Sequence, residues 1–422
     1  MNHTQANEII ENFPLDRYSG LNTIGVSDKL INGQPTGEKC IVFGVSHKMD
    51  VNDISSDQLL PSMIEHDGEM IRTDVTQDDG QLEFESEFCP HVTNQQIDQH
   101  KMKVRPLQGG VSVGNGEQSH RFKVGTLGML VRDELDGEIV GLSNNHVLTP
   151  DIFNVASEQQ DMYNFKNVAV YQPARAEIAG RTDRTHRVGT LKRVYPLRNT
   201  RRLDIANEID AAIFSIDRSI VLQESSRSVL GLVDQDGVTP VNEIPFAFTP
   251  EIDDALNPID PAPLFKSSRT TGAVGSALTP TDAAANNQCS LRVQRTNYSA
   301  VVSGRRFKNM TRYWDPSEQD KIDPSTGGDS GSVICAWIDS QWKAVGLHFA
   351  GTRSGGYDYG VMCRMDRIAD LLRVTHVGDT NLDDHGYSQP QYKVIEGSSS
   401  SMYIEIDGQT YWQVGGTTEF AD

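Results

Sequence analysis

Three widely spaced residues in this chain could make a nucleophile, a base and an orienting acid. Ser330 stands in "GGDSGS" at 327–332, His146 in "GLSNNHVL" at 141–148, and Asp210 in "NEIDAAIFSID" at 207–217. Hydrolysis at a serine needs a general base for the hydroxyl proton, a carboxylate to orient that base, and two N–H donors for the oxyanion. Gly328 permits a turn that brings its own N–H and that of Ser330 into one small volume. Gly331 leaves space for substrate beside the nucleophile. Each signal is ordinary alone. A histidine at a strand end is commonly structural, an aspartate before two alanines commonly caps a turn, and Gly-Asp-Ser-Gly arises by chance. The order His, Asp, Ser, at intervals of 64 and 120 residues and each at a strand junction, makes the set specific.

The elements that must hold these residues read as mainly β. From Val104 onward, short segments alternate with Gly, Asn and Asp turns: "KVGTLGMLVRD", "EIVGLSNNHVL", "NVAVYQP", "HRVGTLKRVYPL" and "IDAAIFSID". That spacing predicts a barrel or sandwich. A loop rich in Pro and Asp interrupts at 249–263. A second set follows: "AVGSALT", "SLRVQRTNYSAVVSG", "GSVICAWID" and "QWKAVGLHFAG". "RMDRIADLLRV" carries Ile368, Leu371 and Leu372 at helical spacing and predicts a C-terminal helix. Residues 1–104 read as a small α+β unit with an acidic linker, and "SMYIEIDGQTYWQVGG" as a hairpin around Asp407-Gly408 within a tail of residues 381–422.

With these motifs in view, the domain of residues 105–380 resembles the chymotrypsin-like serine peptidases over roughly residues 105–375. "GDSGS", "SNNHVL" and "IDAAIF" stand for the three catalytic motifs. "GTLGMLVRD", "RTTGAVG", "GVSDKLINGQPTGEKCIVFGV" and "RPLQGGVSVG" look most like an intracellular trypsin-like branch that includes the plant narrow-leaf protein and bacterial relatives. The resemblance implies two six-stranded β-barrels of chymotrypsin type with the site in the cleft between them. It implies His146 as general base, Asp210 as its orienter, Ser330 as nucleophile, and the N–H groups of Gly328 and Ser330 as oxyanion hole. The activity implied is a serine endopeptidase acting on a protein or peptide through an acyl-enzyme, with no cofactor and no metal. The alternative is a binding or scaffold protein that kept the fold and lost turnover.

Departures from the family pattern bear on specificity and compartment. Val147 follows the histidine where secreted members carry a disulfide-forming Cys. Pro324, preceded by Asp323, stands six positions before the nucleophile, where many digestive members place an acid that reads Arg or Lys. In "QWKAVGLHFAG", Val345, Leu347 and Phe349 alternate with Ala344, Gly346, His348 and Ala350. The second face is nearly bare apart from His348, like a pocket wall. It resembles the strand of glutamate-specific and viral-type members, so a pocket of Ser325, His348 and Gly351 implies preference for Glu or Gln before the cut, with Asp a further candidate. The other reading of His348 is a hydrogen bond to a neighbouring loop. Asp329, beside the nucleophile, needs a positive partner if buried. Pro106 after Arg105 disfavours a freed N-terminus in that role, so an internal partner is expected.

Composition bounds the rest. The 422 residues are 37% hydrophobic, with mean hydropathy −0.45, and no run of about 18 apolar residues offers a membrane span. Five scattered Cys (Cys40, Cys89, Cys289, Cys335, Cys363), an odd number, and an N-terminus without a secretion signal suggest reduced thiols and a cytoplasmic protein. Net charge is −20, which argues against general nucleic-acid affinity. The charge is uneven: residues 51–100 hold twelve acids and one Arg, whereas 175–202 hold nine Lys/Arg and two acids. Tyr195 alone is too little aromatic content for a stacking platform on that basic stretch. The asymmetry suggests that the N-terminal unit docks on the basic insertion and regulates the peptidase, or takes a regulatory protein partner; the alternative is an acidic face that is only solvated and keeps the protein soluble.

Overall fold

The computed structural model describes residues 1–31, 34–78, 82–84, 99–116, 124–149, 168–178, 185–234, 237–275, 291–315, 324–352, 359–379, 392–396, 402–406 and 409–413. The fold is mainly β, as the alternation predicts. It opens, however, on a helix that the polar N-terminus conceals. In His3–Asn12 the Asn2 side chain accepts from the Gln5 N–H and the Gln5 side chain from the Asn2 N–H, a reciprocal cap. Its buried face is Ala6, Ile9 and Ile10.

β1 (Leu21–Ile31) and β2 (Gln34–Val45) pair antiparallel. β3 (Met63–His66) and β4 (Glu69–Gln77) extend this sheet, β4 lying parallel to β2. Between a one-turn helix at Val51–Asp53 and β3, the segment 54–62 is irregular with one short turn at 56–58. β5 (Leu82–Phe84) lies in the stretch read as an acidic linker.

The first half closes as a six-stranded ring. Its strands are β6 (Val111–Asn115), β7 (Gly125–Leu127), β8 (Met129–Asp133), β9 (Ile139–Ser143), β10 (Ala169–Tyr171), β11 (Arg187–Val194) and β12 (Ala212–Ile216). β7 and β8 form one strand bent at Gly128. β7 pairs with β6 and β8 with β9, and the circuit continues through β12, β11 and β10 back to β6. A Cβ at Gly128 would lie 2.5 Å from the Gly331 carbonyl, so the bend packs directly on the nucleophile loop.

The second half contains β13 (Leu264–Ser268), β14 (Gly272–Gly275), β15 (Arg292–Val302), β16 (Arg305–Trp314), β17 (Val333–Ile338), β18 (Gln341–Thr352) and β19 (Tyr359–Arg364). Six of them run in the order β13, β17, β18, β19, β16, β15. The sheets exceed the expected six strands because neighbours add to their edges. β1 pairs with β15, so the N-terminal strands continue the second sheet. β20 (Val374–His376) follows the predicted helix, seen at Met365–Leu372, and pairs with β8 of the first ring. In the tail, β21 (Tyr392–Glu396), β22 (Met402–Ile406) and β23 (Gln409–Gln413) form a meander. β22 and β23 make the expected hairpin, and β23 joins β11.

One apolar cluster spans both halves, with Met129, Val131 and Leu142 of the first meeting Val333, Leu347 and Phe349 of the second. This shared core fixes the two halves against each other, and the catalytic candidates lie along that seam. Among the described residues, no helix is long and apolar enough to cross a membrane.

Candidate active site

Strand pairing explains how residues 64 positions apart meet. β9 and β12 are antiparallel neighbours, with Ser143 opposite Ala212. His146 sits on the single helical turn Asn145–Leu148 that leaves β9, and Asp210 immediately precedes β12. His146 Nδ1 lies 2.5 Å from Asp210 Oδ2, and the His146 backbone N–H donates to Oδ1 at 3.1 Å. The Asn144 amide donates to the Asp210 carbonyl at 2.6 Å and closes the junction. Both side chains are fully buried. The Asp210 N–H meets Cys363 Sγ at 3.3 Å, and burial, reinforced by the Asp210 charge, pushes that thiol well up.

Ser330 lies in a loop whose backbone is nearly all engaged. The N–H groups of Asp329, Gly331 and Ser332 donate to Thr326, His348 and Asp329 carbonyls. Among the described residues, the N–H groups of Gly328 and Ser330 take no acceptor, the condition an oxyanion hole requires. Gly328 has φ +98°, and a Cβ there would lie 2.5 Å from Thr270 Oγ1. Gly331, at φ +96°, corrects the expectation of space for substrate: its Cβ would drive into the Thr126 carbonyl and Ser143 Oγ. That glycine serves the contact between the two halves. The Ser330 hydroxyl donates to the Phe349 carbonyl at 3.0 Å.

The internal partner expected for Asp329 is Lys266 on β13, with Nζ 2.8 Å from Oδ2 and also donating to the Pro324 carbonyl. Four further donors surround the carboxylate: the N–H groups of Thr270, Thr271 and Thr326 and the Thr271 hydroxyl. Burial alone would raise this carboxyl. The Lys266 ammonium more than offsets it and holds the pKa down to about 2.

Two threonines missed by sequence reasoning bind the nucleophile loop to its surroundings. The Thr126 N–H donates to the Ser330 carbonyl at 2.8 Å and its hydroxyl to the Gly328 carbonyl at 2.9 Å. The Ser143 hydroxyl donates to the Thr126 carbonyl, so one residue of β7 links the histidine strand to the serine loop. The Thr270 hydroxyl holds the Gly327 carbonyl. Both threonines lie inside quoted motifs, "GTLGMLVRD" and "RTTGAVG", so a signal was present. Lys266, alone in an apolar strand context, carried little.

His348 is fully buried, its Nδ1 2.9 Å from the Tyr313 hydroxyl of β16. Its backbone bonds to Gly331 and Ser332, which places it directly behind the nucleophile. Ala344, His348 and Ala350 are buried along with Val345, Leu347 and Phe349. Ser325 is buried in the same loop. Gly351 pairs with Gly360 on one side and Glu83 on the other. Asp323 lies outside the described residues. Phe84 of β5 stacks on the site, its ring centroid 4.6 Å from that of His146.

Some residues of each charged stretch form ion pairs among the described residues. Asp78 meets Arg295 and Arg312 of β15 and β16. In the basic stretch, Lys192 pairs with Asp133, Asp136 and Glu138, Arg193 with Asp133, and Arg187 with Asp217.

No family model and no curated protein matches this chain. Among solved structures it is similar to a glutamic-acid-specific serine protease described as using a novel histidine triad in substrate binding. The two are 16% identical, with TM-score 0.36 over 64% of this chain and 100% of that one. It is also similar to Thermobifida fusca protease A (12% identical, TM-score 0.35) and Nocardiopsis protease (12%, 0.36), each over 64% of this chain and 97% of theirs.

Proposed function

We propose that this chain is a serine endopeptidase with Ser330 as nucleophile, His146 as general base and Asp210 as its orienter. The observation that carries the reading is the buried His146–Asp210 pair, 2.5 Å apart, in one seam with Ser330 and two uncommitted N–H groups. Asp210 holds the proton on Nδ1, which leaves Nε2 basic. Ser330 Oγ attacks the carbonyl carbon while its proton passes to Nε2. The N–H groups of Gly328 and Ser330 hold the oxyanion. His146 then protonates the amine nitrogen, the C–N bond breaks, and water attacks the acyl-serine with the same base. A hydroxyl has one proton to donate, so Ser330 must first release the Phe349 carbonyl. That bond also favours the second reading, a binding or scaffold protein without turnover. Fluorophosphonate labelling of the protein, absent in Ser330→Ala, supports the enzyme; no labelling supports the scaffold.

Within this reading the preferred residue before the cut is Glu or Gln, met by His348 with Ser325 and Gly351. If the Tyr313 hydroxyl donates to Nδ1, the ring proton sits on Nε2, the tautomer that donates to an acid or amide oxygen. A site built for such a group discriminates by up to about 10⁴-fold, because the wrong substrate leaves a buried polar group unpaired. A peptide-library profile dominated by Arg/Lys or large apolar residues, with Ser330→Ala as control, would overturn this. Residues 1–104 are taken as a regulatory or partner-binding unit, 105–380 as the peptidase and 381–422 as a tail. A reducing, cytoplasmic setting fits the free buried thiols of Cys40, Cys335 and Cys363; Cys89 and Cys289 lie outside the described residues.

A further inference from the structure

We propose that Leu82–Phe84 occupies the strand edge along which this peptidase would take its substrate, and that it holds the site closed. The inference rests on the serine-peptidase reading above. β18 is twelve residues long, yet β17 covers one of its edges only as far as Leu347. Beyond that point the same edge runs past the nucleophile. The His348 backbone bonds to the Ser330 loop, the Phe349 carbonyl accepts the Ser330 hydroxyl, and Ala350–Thr352 come next. A peptide pairing along this edge with its scissile carbonyl at Ser330 must use the rungs at Ala350–Thr352. β5 already fills them: Thr352 faces Leu82, Gly351 faces Glu83 and Ala350 faces Phe84, antiparallel. The segment therefore runs toward Ser330, as the acyl side of a bound substrate would.

Side chains complete the block. Phe84 is buried, with its ring against His146 at 4.6 Å and near Phe307 and Phe349 at 6.0 and 6.1 Å. A ring there denies substrate the space beside the base. On its far side β5 meets Val302 and Ser303, and its Leu82 and Phe84 side chains are buried in the core. Its Phe84 N–H donates to Ser303 Oγ, its Leu82 carbonyl accepts from the Ser303 N–H, and it has one parallel rung to Val302. Three residues added to a sheet edge bind by the rules that govern any extended peptide there. In sequence, the residue after Phe84 is Glu85, the type proposed above for the position before the cut. The occupant is thus a substrate-like segment of the same chain. The charge-based expectation placed the regulatory contact on the basic stretch, whereas this one lies at the catalytic seam.

The test is the rate at which a fluorophosphonate labels Ser330 in the wild type, Phe84→Ala and Glu83→Pro. Glu83 is half-buried and outside the core, so the second variant covers the case in which Phe84→Ala does not fold. A closed state that opens a few per cent of the time predicts labelling at least about tenfold faster in the variants. Added peptide of sequence QLEFE should slow the Phe84→Ala protein back toward the wild-type rate. Equal labelling of wild type and folded variants overturns this inference alone. Labelling of none of them overturns the peptidase reading, and this inference with it.

Discussion

The Thr270 hydroxyl donates to the Gly327 carbonyl at 2.8 Å, and the N–H on that same peptide plane belongs to Gly328. A trans peptide points its C=O and N–H in opposite directions. Holding one therefore aims the other, and Thr270 positions half of the proposed oxyanion hole without touching substrate. Thr270→Val keeps the side-chain shape and the backbone bond to Asp329 but frees this plane to rotate. Losing a direct oxyanion donor costs on the order of 10²–10³ in kcat. A donor left in place but unaimed should cost less, roughly tenfold to a hundredfold, with KM nearly unchanged. Thr270→Ser should restore the rate. A fall in KM-dependent binding with kcat intact would remove Thr270 from this role.

The reach of sequence pattern is visible in particular residues. His146, Asp210 and Ser330 could be singled out as candidates because each sits in a short motif at a strand end. The β22–β23 hairpin was legible because its turn residues are local. β16 was not, since four cations in "RRFKNMTRYW" obscure the strand pattern. Its Arg305, Arg306 and Arg312 are nevertheless buried, and Arg312 is paired with Asp78. Charge hides a strand whenever the counter-charge comes from distant sequence. The Leu82–Phe84 contact with Ala350–Thr352 was hidden for the same reason. Periodicity reports what a segment buries, never which segment buries it.

Lys266→Met tests the ion pair behind the nucleophile. Because Asp329 is held down to about 2, its contribution to stability is full above the ordinary carboxyl value, near pH 4, and is lost as pH falls through about 2. Without the lysine, burial pushes the carboxyl up, so the variant weakens as pH rises. Breaking a buried pair on one side costs about 3–5 kcal/mol. The expected result is a large drop in Tm at pH 7 that narrows below pH 4. A gap that stays constant across this range would show that charge pairing is not what Lys266 supplies.

Asp210→Asn should leave the fold intact and remove the chemistry. An amide keeps the shape beside His146 Nδ1 but turns an acceptor into a group that also donates, and it offers no charge to an imidazolium. The expected loss is about 10⁴ in kcat at neutral pH with little change in KM. Fluorophosphonate labelling of Ser330 should slow in parallel, because it needs the same base. Unimpaired labelling in the variant would remove Asp210 from the mechanism.

Asp78 ties the N-terminal strands to the second half. It accepts from the Thr23 hydroxyl of β1 and from Arg295 and Arg312, at 3.1, 3.1 and 2.8 Å. Burial would raise its carboxyl, but Arg312 and Arg295 together lower it below the ordinary value. Asp78→Asn leaves two buried guanidiniums without their counter-charge, a defect of about 3–5 kcal/mol. The seam between β1 and β15 is where that strain should open. Cys40 on β2 reports the opening: it is fully buried, and burial pushes its thiol up to about 12. Maleimide should therefore modify Cys40 faster in Asp78→Asn than in the wild type. Cys335, buried in β17 on the far side of the second sheet, should keep its rate. Faster modification of both thiols would mean global loosening, and an unchanged Cys40 rate with an unchanged Tm would mean that Asp78 does not hold the N-terminal strands in place.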